Sequence, residues 1–108
     1  MQNKPKIMQL NEFELIESIQ SGNLSVCIIG IGRIGLPTAL SFANSGLSTV
    51  GVDINSKLVE MINSKIFPLK DEPGYDVIFD KVINQKFSAS TKIEEIVPIS
   101  DIIILSLP

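Results

Sequence analysis

The chain of 108 residues contains no histidine. A Ser-His-Asp triad, a histidine general base and most zinc sites are therefore excluded. There is one cysteine, Cys27, which can close neither an internal disulfide nor a thiolate metal cluster. That usage fits a reducing compartment, and a cytoplasmic location is expected. No apolar run approaches the ~20 residues of a membrane-spanning helix. The opening, residues 1–10, lacks the apolar core of a signal peptide. Nor is positive charge in excess: 9 Lys and Arg stand against 12 Asp and Glu, a net charge of −3. A nucleic-acid or membrane-surface partner would need a clustered basic face, so neither is expected. With no catalytic residue and no metal site in view, the chemistry must come from a bound ligand or from residues elsewhere.

What is present is a globular composition, 44% hydrophobic and 19% charged, with room for one ordinary domain. The polar opening is followed by a stretch in which Leu10, Phe13, Ile16 and Ile19 recur at helical spacing. Asn11 and Glu14 fit a capping box there, and Gly22 a stop, so residues 1–22 are expected to be a helical extension. Alternation then begins. Residues 24–29 form an apolar run suited to a strand buried on both faces. A helix is expected at 36–44, a strand at 48–53, and a helix capped by Ser56 through residue 62. A loop with Pro68, Pro73 and Gly74 leads to a helix at 75–85 with Val77, Ile78, Val82 and Ile83 on its apolar face. Asp71 and Glu72 read as first-turn charges of that helix, with Pro73 at its first position. A strand at 87–90, a short helix with a Thr91–Glu94 capping box ended by Pro98, and a fully apolar strand at 102–107 complete the pattern. Strands alternating with helices in this way predict an α/β, Rossmann-like parallel sheet flanked by helices. Right-handed crossovers give the strand order 3-2-1-4.

Gly30-Ile31-Gly32-Arg33-Ile34-Gly35 matches G-x-G-x-x-G between the first strand and the first helix of this unit. Such glycines permit a tight turn, close approach of backbone to a pyrophosphate, and packing of helix on strand. The helix then presents its positive dipole end to the phosphates. Asp53 stands at the end of the second strand, where a carboxylate accepts hydrogen bonds from ribose hydroxyls and repels a 2′-phosphate. That favours NAD over NADP. Arg33 either reaches the pyrophosphate or is solvated, and Lys57 either lines the adenosine edge or is a solvated helix charge. Cys27 is expected to be a buried hydrophobe, not a nucleophile.

Residues 30–39, Gly-Ile-Gly-Arg-Ile-Gly-Leu-Pro-Thr-Ala, resemble the opening of nucleotide-sugar 6-dehydrogenases, the UDP-glucose and UDP-N-acetylmannosamine dehydrogenases. Gly51-Val52-Asp53-Ile54-Asn55, Ile62-Asn63, Pro68 and Glu72-Pro73-Gly74 continue the likeness, which spans residues 24–108. Thr38-Ala39 and Asp53-Ile54-Asn55 lean toward the UDP-N-acetylmannosamine branch. The resemblance implies oxidation of a UDP-sugar C6 alcohol to the carboxylate with two NAD per turnover, through a cysteine and a lysine that this chain does not match. It also implies a homo-oligomeric parent enzyme. The cofactor contacts it carries onto this chain are Gly30, Gly32, Arg33, Ile34, Gly35 and Asp53. The family usually has an aromatic residue at the Arg33 position, and the loop before Pro73 is one residue longer here. Residues 23–108 are thus expected to be the first part of an NAD-binding domain, truncated at the fourth strand and without turnover of its own. Two other resemblances compete. Regulatory nucleotide-sensing domains of potassium channels and transporters share a G-x-G-R-x-G loop, but they carry a Gly-Asp pair absent from residues 64–74. The 3-hydroxy-acid dehydrogenases of the 6-phosphogluconate type share the glycine motif but not Leu36-Pro37.

Overall fold

The structure, a computed structural model, describes residues 24–106; the expected helix at 10–20 and the last two residues lie outside the described residues. Strand β1 (Ser25–Ile29) is the hydrophobic centre, with Val26, Cys27 and Ile28 all buried. Side chains alternate along a strand, so burial of three in a row requires cover on both faces. β1 pairs in parallel with β2 (Ser48–Val52) on one side and β4 (Ile102–Leu105) on the other, while β2 pairs with β3 (Phe87–Ser90). The order β3-β2-β1-β4 is the one expected. The register sets Ile29 beside both Val52 and Leu105, so the strands end together at one edge of the molecule.

Helix α1 (Gly35–Asn44) buries Gly35, Leu36, Ala39, Leu40 and Ala43, a stripe one helical face wide. It packs with Val26, Ile28, Phe79 and Phe87 in one core cluster. Full burial of side chains of this size contributes about 1.5–3 kcal/mol each. Cys27 lies on the opposite face of β1 and is fully buried there. Its thiol is pushed up by that burial, against a smaller lowering by a hydrogen bond with Ser100. The fourth strand is fixed at its base by a clasp: the Ser25 amide and hydroxyl both donate to Asp101 Oδ2, at 2.9 and 3.1 Å.

Several local expectations change. Helix α2 (Ser56–Asn63) is capped by Asn55, whose side chain accepts from the Leu58 amide at 3.1 Å, and not by Ser56. Asn55 sits in extended backbone and its carbonyl already takes the Val59 amide, which leaves Ser56 inside the helix. Helix α3 (Tyr75–Val82) stops three residues short of the expected end, because Ile83 is extended and Asn84 is left-handed with φ 60°. Its buried face is Phe79 and Val82, while Val77 is exposed. Asp71, Glu72 and Pro73 lie ahead of this helix; Gly74 is its N-cap and Asp76 its first-turn acid. No Thr91–Glu94 capping box forms at α4 (Ile93–Ile96), whose N-cap is Lys92. The Lys92 amide donates to Ser90 Oγ at 3.0 Å, so the serine that ends β3 supplies the local turn. Pro98 sits in a 3-10 turn, Val97–Ile99, just after α4. Among the described residues no helix is long and apolar enough to cross a membrane.

Candidate nucleotide-binding cleft

The glycine loop leaves the sheet at Gly30, which adopts φ 93° and donates its amide to the Val52 carbonyl at 2.8 Å. The turn is therefore tied to the end of β2 as well as to β1. Gly35 is needed for packing: a Cβ there would lie 1.7 Å from the Gly30 carbonyl oxygen, so no other residue lets α1 start so close to the turn. Gly32 is different. A Cβ at Gly32 would meet no atom within 4 Å, and its backbone is not left-handed. Neither packing nor backbone conformation requires glycine there, and what a side chain would fill is the open space of the cleft. The donors that follow are also unclaimed by side chains, since Ile34, the N-cap of α1, makes no side-chain cap bond and the first turn holds no acid. A helix start of this kind favours an anion.

Asp53 closes the other wall. Its Oδ2 accepts from the Ile31 amide at 3.1 Å and its Oδ1 from the Asn55 amide at 3.0 Å. Its own amide donates to the Ser90 carbonyl at 3.1 Å, so the end of β3 also fixes its place. Between these walls lies a cleft of about 480 Å³, lined by Gly30, Gly32, Arg33, Ile34, Gly35, Asp53, Ile54 and Ser106. All six residues singled out in the sequence meet here. Arg33 lines the cleft and is exposed. Lys57 does not line the cleft and is exposed on α2, a solvated helix charge. Cys27 is buried within the sheet.

Two lining residues, Ile54 and Ser106, escaped the sequence reading. Ile54 is 97% exposed and Ile34 is 76% exposed, giving the cleft an apolar lip on both sides. The signal for Ile54 was a large aliphatic residue in a polar loop directly after the carboxylate. Ser106 had none: it arrives because its amide donates to the Ile29 carbonyl at 2.8 Å, which continues the β1–β4 ladder to the glycine turn. Among the described residues no group of three His, Cys, Asp or Glu could hold a metal ion.

An uncapped helix start facing a glycine of no structural necessity, opposite a carboxylate at the end of the second strand, fits a dinucleotide. Comparison with known proteins agrees: residues 24–108 match the NAD binding domain of the UDP-glucose/GDP-mannose dehydrogenase family. The chain belongs to that family. NAD is accordingly the cofactor of this domain. The chain is 41% identical over 70 residues to a UDP-N-acetyl-D-mannosamine dehydrogenase from Campylobacter jejuni, covering 65% of this chain and 17% of that protein. It is 39% identical over 84 residues to the enzyme of that name from Methanococcus vannielii, covering 77% and 18%. Among solved structures, the UDP-N-acetyl-mannosamine dehydrogenase of Staphylococcus aureus superposes with a TM-score of 0.69 at 32% identity, covering 78% of this chain and 19% of that one. A ternary complex of GDP-mannose dehydrogenase from Pseudomonas aeruginosa gives a TM-score of 0.72 at 25% identity, covering 77% and 19%. The dehydrogenase-family chain described here thus spans less than a fifth of the length of these relatives.

Proposed function

We propose that the cleft holds the adenosine diphosphate part of NAD, and that the chain is the cofactor-binding opening of a nucleotide-sugar 6-dehydrogenase. The observation that carries this reading is the convergence of Gly32, the uncapped start of α1 and Asp53 on one cleft. Gly30 and Gly35 shape the turn, Gly32 leaves room for the pyrophosphate, and the backbone at Arg33 and Ile34 faces its oxygens. The guanidinium of Arg33 adds positive charge on the same side. An ionised carboxylate has about four acceptor positions, so Asp53 retains about two for the ribose hydroxyls after its two amide bonds. The same charge opposes a 2′-phosphate and selects NAD over NADP.

When bound, NAD supplies the hydride-accepting nicotinamide; the residues of this chain hold and orient it. The parent enzyme oxidises the C6 alcohol of a UDP-sugar to the carboxylate. UDP-N-acetylmannosamine is favoured over UDP-glucose by the names of the relatives cited above. Cys27 cannot supply a nucleophilic thiolate, being buried with its thiol pushed up. We therefore assign no catalytic residue to this chain and expect no turnover from it alone. Residues 1–22 are read as a helical extension and 23–108 as the first part of the NAD-binding domain, within a cytoplasmic homo-oligomer.

Calorimetric titration of the chain with NAD, NADP and ATP tests the reading. NAD is expected to bind at least tenfold more tightly than NADP, a difference of about 1.4 kcal/mol. Preference for NADP would overturn the role of Asp53. Selective ATP binding would favour a nucleotide-sensing domain over a dehydrogenase segment.

A further inference from the structure

Asp53 is already engaged without any ligand. Its Oδ2 takes the amide of Ile31, the residue between the first two glycines of the loop. The side chain of Ile31 is 1% exposed and rests on Gly51, where a Cβ would come within 2.5 Å of Ile31 Cγ2. Ile31 is thus held twice, by its backbone from Asp53 and by its side chain in the notch at Gly51. The two residues that make these contacts, Gly51 on β2 and Asp53 just beyond its end, are themselves fixed. Gly51 stands opposite Ile28 and Ala89 in the sheet, and Asp53 is bonded through its amide to Ser90. Ile31 is the only described residue between Gly30 and α1 with a buried side chain; Gly32, Arg33 and Ile34 are exposed. The other loop side chains face the cleft or solvent, so beyond the backbone bonds of Gly30 and Gly32 it is Ile31 that fixes the loop to the sheet.

We propose that Asp53 is a positioning residue for the phosphate-facing loop as well as an acceptor for the ribose, with Gly51 as the second half of the same anchor. The inference rests on the reading of the cleft as an adenine-nucleotide site. Holding Ile31 sets Gly32 and the start of α1 in place before a nucleotide arrives, so less ordering is left to binding. One carboxylate then contributes to affinity at two points of the ligand, directly at the sugar and through the loop at the phosphates.

Ligands that differ only in the ribose hydroxyls separate the two contributions. The chain and its Asp53→Ala, Asp53→Asn and Gly51→Ala variants are titrated with ADP and with 2′,3′-dideoxy-ADP. Exchange of the Ile31 amide hydrogen is followed by NMR without nucleotide. Loss of one such hydrogen bond should lower the affinity of Asp53→Ala for dideoxy-ADP roughly three- to tenfold, and its affinity for ADP by a larger factor. Ile31 exchange should quicken in the same variant. Asp53→Asn keeps one carbonyl acceptor and should recover part of the dideoxy-ADP affinity. Gly51→Ala does not touch the ribose and should weaken both nucleotides by the same factor. It carries the test with Asp53→Asn should Asp53→Ala fail to fold. Unchanged dideoxy-ADP affinity in Asp53→Ala, with ADP weakened, would overturn the inference and leave Asp53 a ribose acceptor alone. Failure of ADP to bind the unmodified chain would overturn the nucleotide reading instead, and Ile31 exchange in Asp53→Ala would still decide whether the anchor exists.

Discussion

β3 and β4 are both four-residue edge strands of one parallel sheet, and their sequences predict the opposite of their surroundings. Phe87-Ser88-Ala89-Ser90 is half polar, whereas Ile102-Ile103-Ile104-Leu105 is wholly apolar. Yet β3 buries Phe87 and Ala89, while Ile103 is 45% and Leu105 69% exposed on β4. The backbone follows the same division. On the side of β3 away from β2, the Phe87 carbonyl accepts from the Asn84 amide at 2.8 Å. Beside it, the side-chain amide of Asn63 donates to the Ala89 carbonyl at 2.8 Å and accepts from the Ala89 amide at 2.9 Å. Asn63, the last residue of α2, therefore takes the place of a further strand. Among the described residues β4 pairs with β1 alone, and the clasp between Asp101 and Ser25 secures only its base. An edge closed by the chain's own side chain needs little hydrophobicity. An apolar strand shows what its surface favours as a neighbour, not what it has.

Substitutions along the two edges should follow this division, and urea unfolding measures the order. Phe87→Ala removes a fully buried ring that sits over Gly51 and is expected to cost about 3–5 kcal/mol. A loss below about 1 kcal/mol would show that the β3 side is no better packed than β4 and would break the comparison. Asn63→Ala leaves both Ala89 backbone groups without their partner and should cost about 1–3 kcal/mol. Restoration by Asn63→Asp would not be expected, because a carboxylate cannot donate to the Ala89 carbonyl. The smallest effect belongs to Ile103→Lys, expected to change stability by no more than about 0.5 kcal/mol given its exposure. Sedimentation should show less self-association for that variant, since a charge on an open edge discourages strand pairing. A cost as large as that of Phe87→Ala would mean that β4 is covered after all.

The cleft was more legible than the edges. G-x-G-x-x-G and Asp53 each have a purely local origin, a turn and a strand end, and the βαβ spacing places them together by topology alone. The structure brings Gly30, Gly32, Arg33, Ile34, Gly35 and Asp53 to one cleft. Helix limits were read less well where a polar side chain competed with its neighbour for the same backbone donor. Asn55 displaces Ser56 as a cap because its carbonyl already serves the first helical bond, and sequence pattern ranks the two alike. Helix α3 ends early at Val82 because Ile83 is extended and Asn84 left-handed, which turns the Asn84 amide to the Phe87 carbonyl in place of a helical bond. Periodicity gave the right helix and set Val82 and Ile83 inside, but it also placed Val77 inside and passed over Phe79, because 77–79 are three consecutive apolar positions and spacing alone does not choose among them.

By itself the sequence determined the alternating architecture, the strand order and the glycine loop between β1 and α1, because each follows from hydrophobic period, turn chemistry and handed crossovers acting over short spans. The tertiary structure alone decided that Ser106 meets the glycine turn, that Ile31 is seated on Gly51 under Asp53, and that Asn63 closes one edge while β4 keeps its apolar residues in solvent. These are contacts between residues far apart in the chain. They depend on register and on which side chains reach a given backbone group, and no local pattern encodes either.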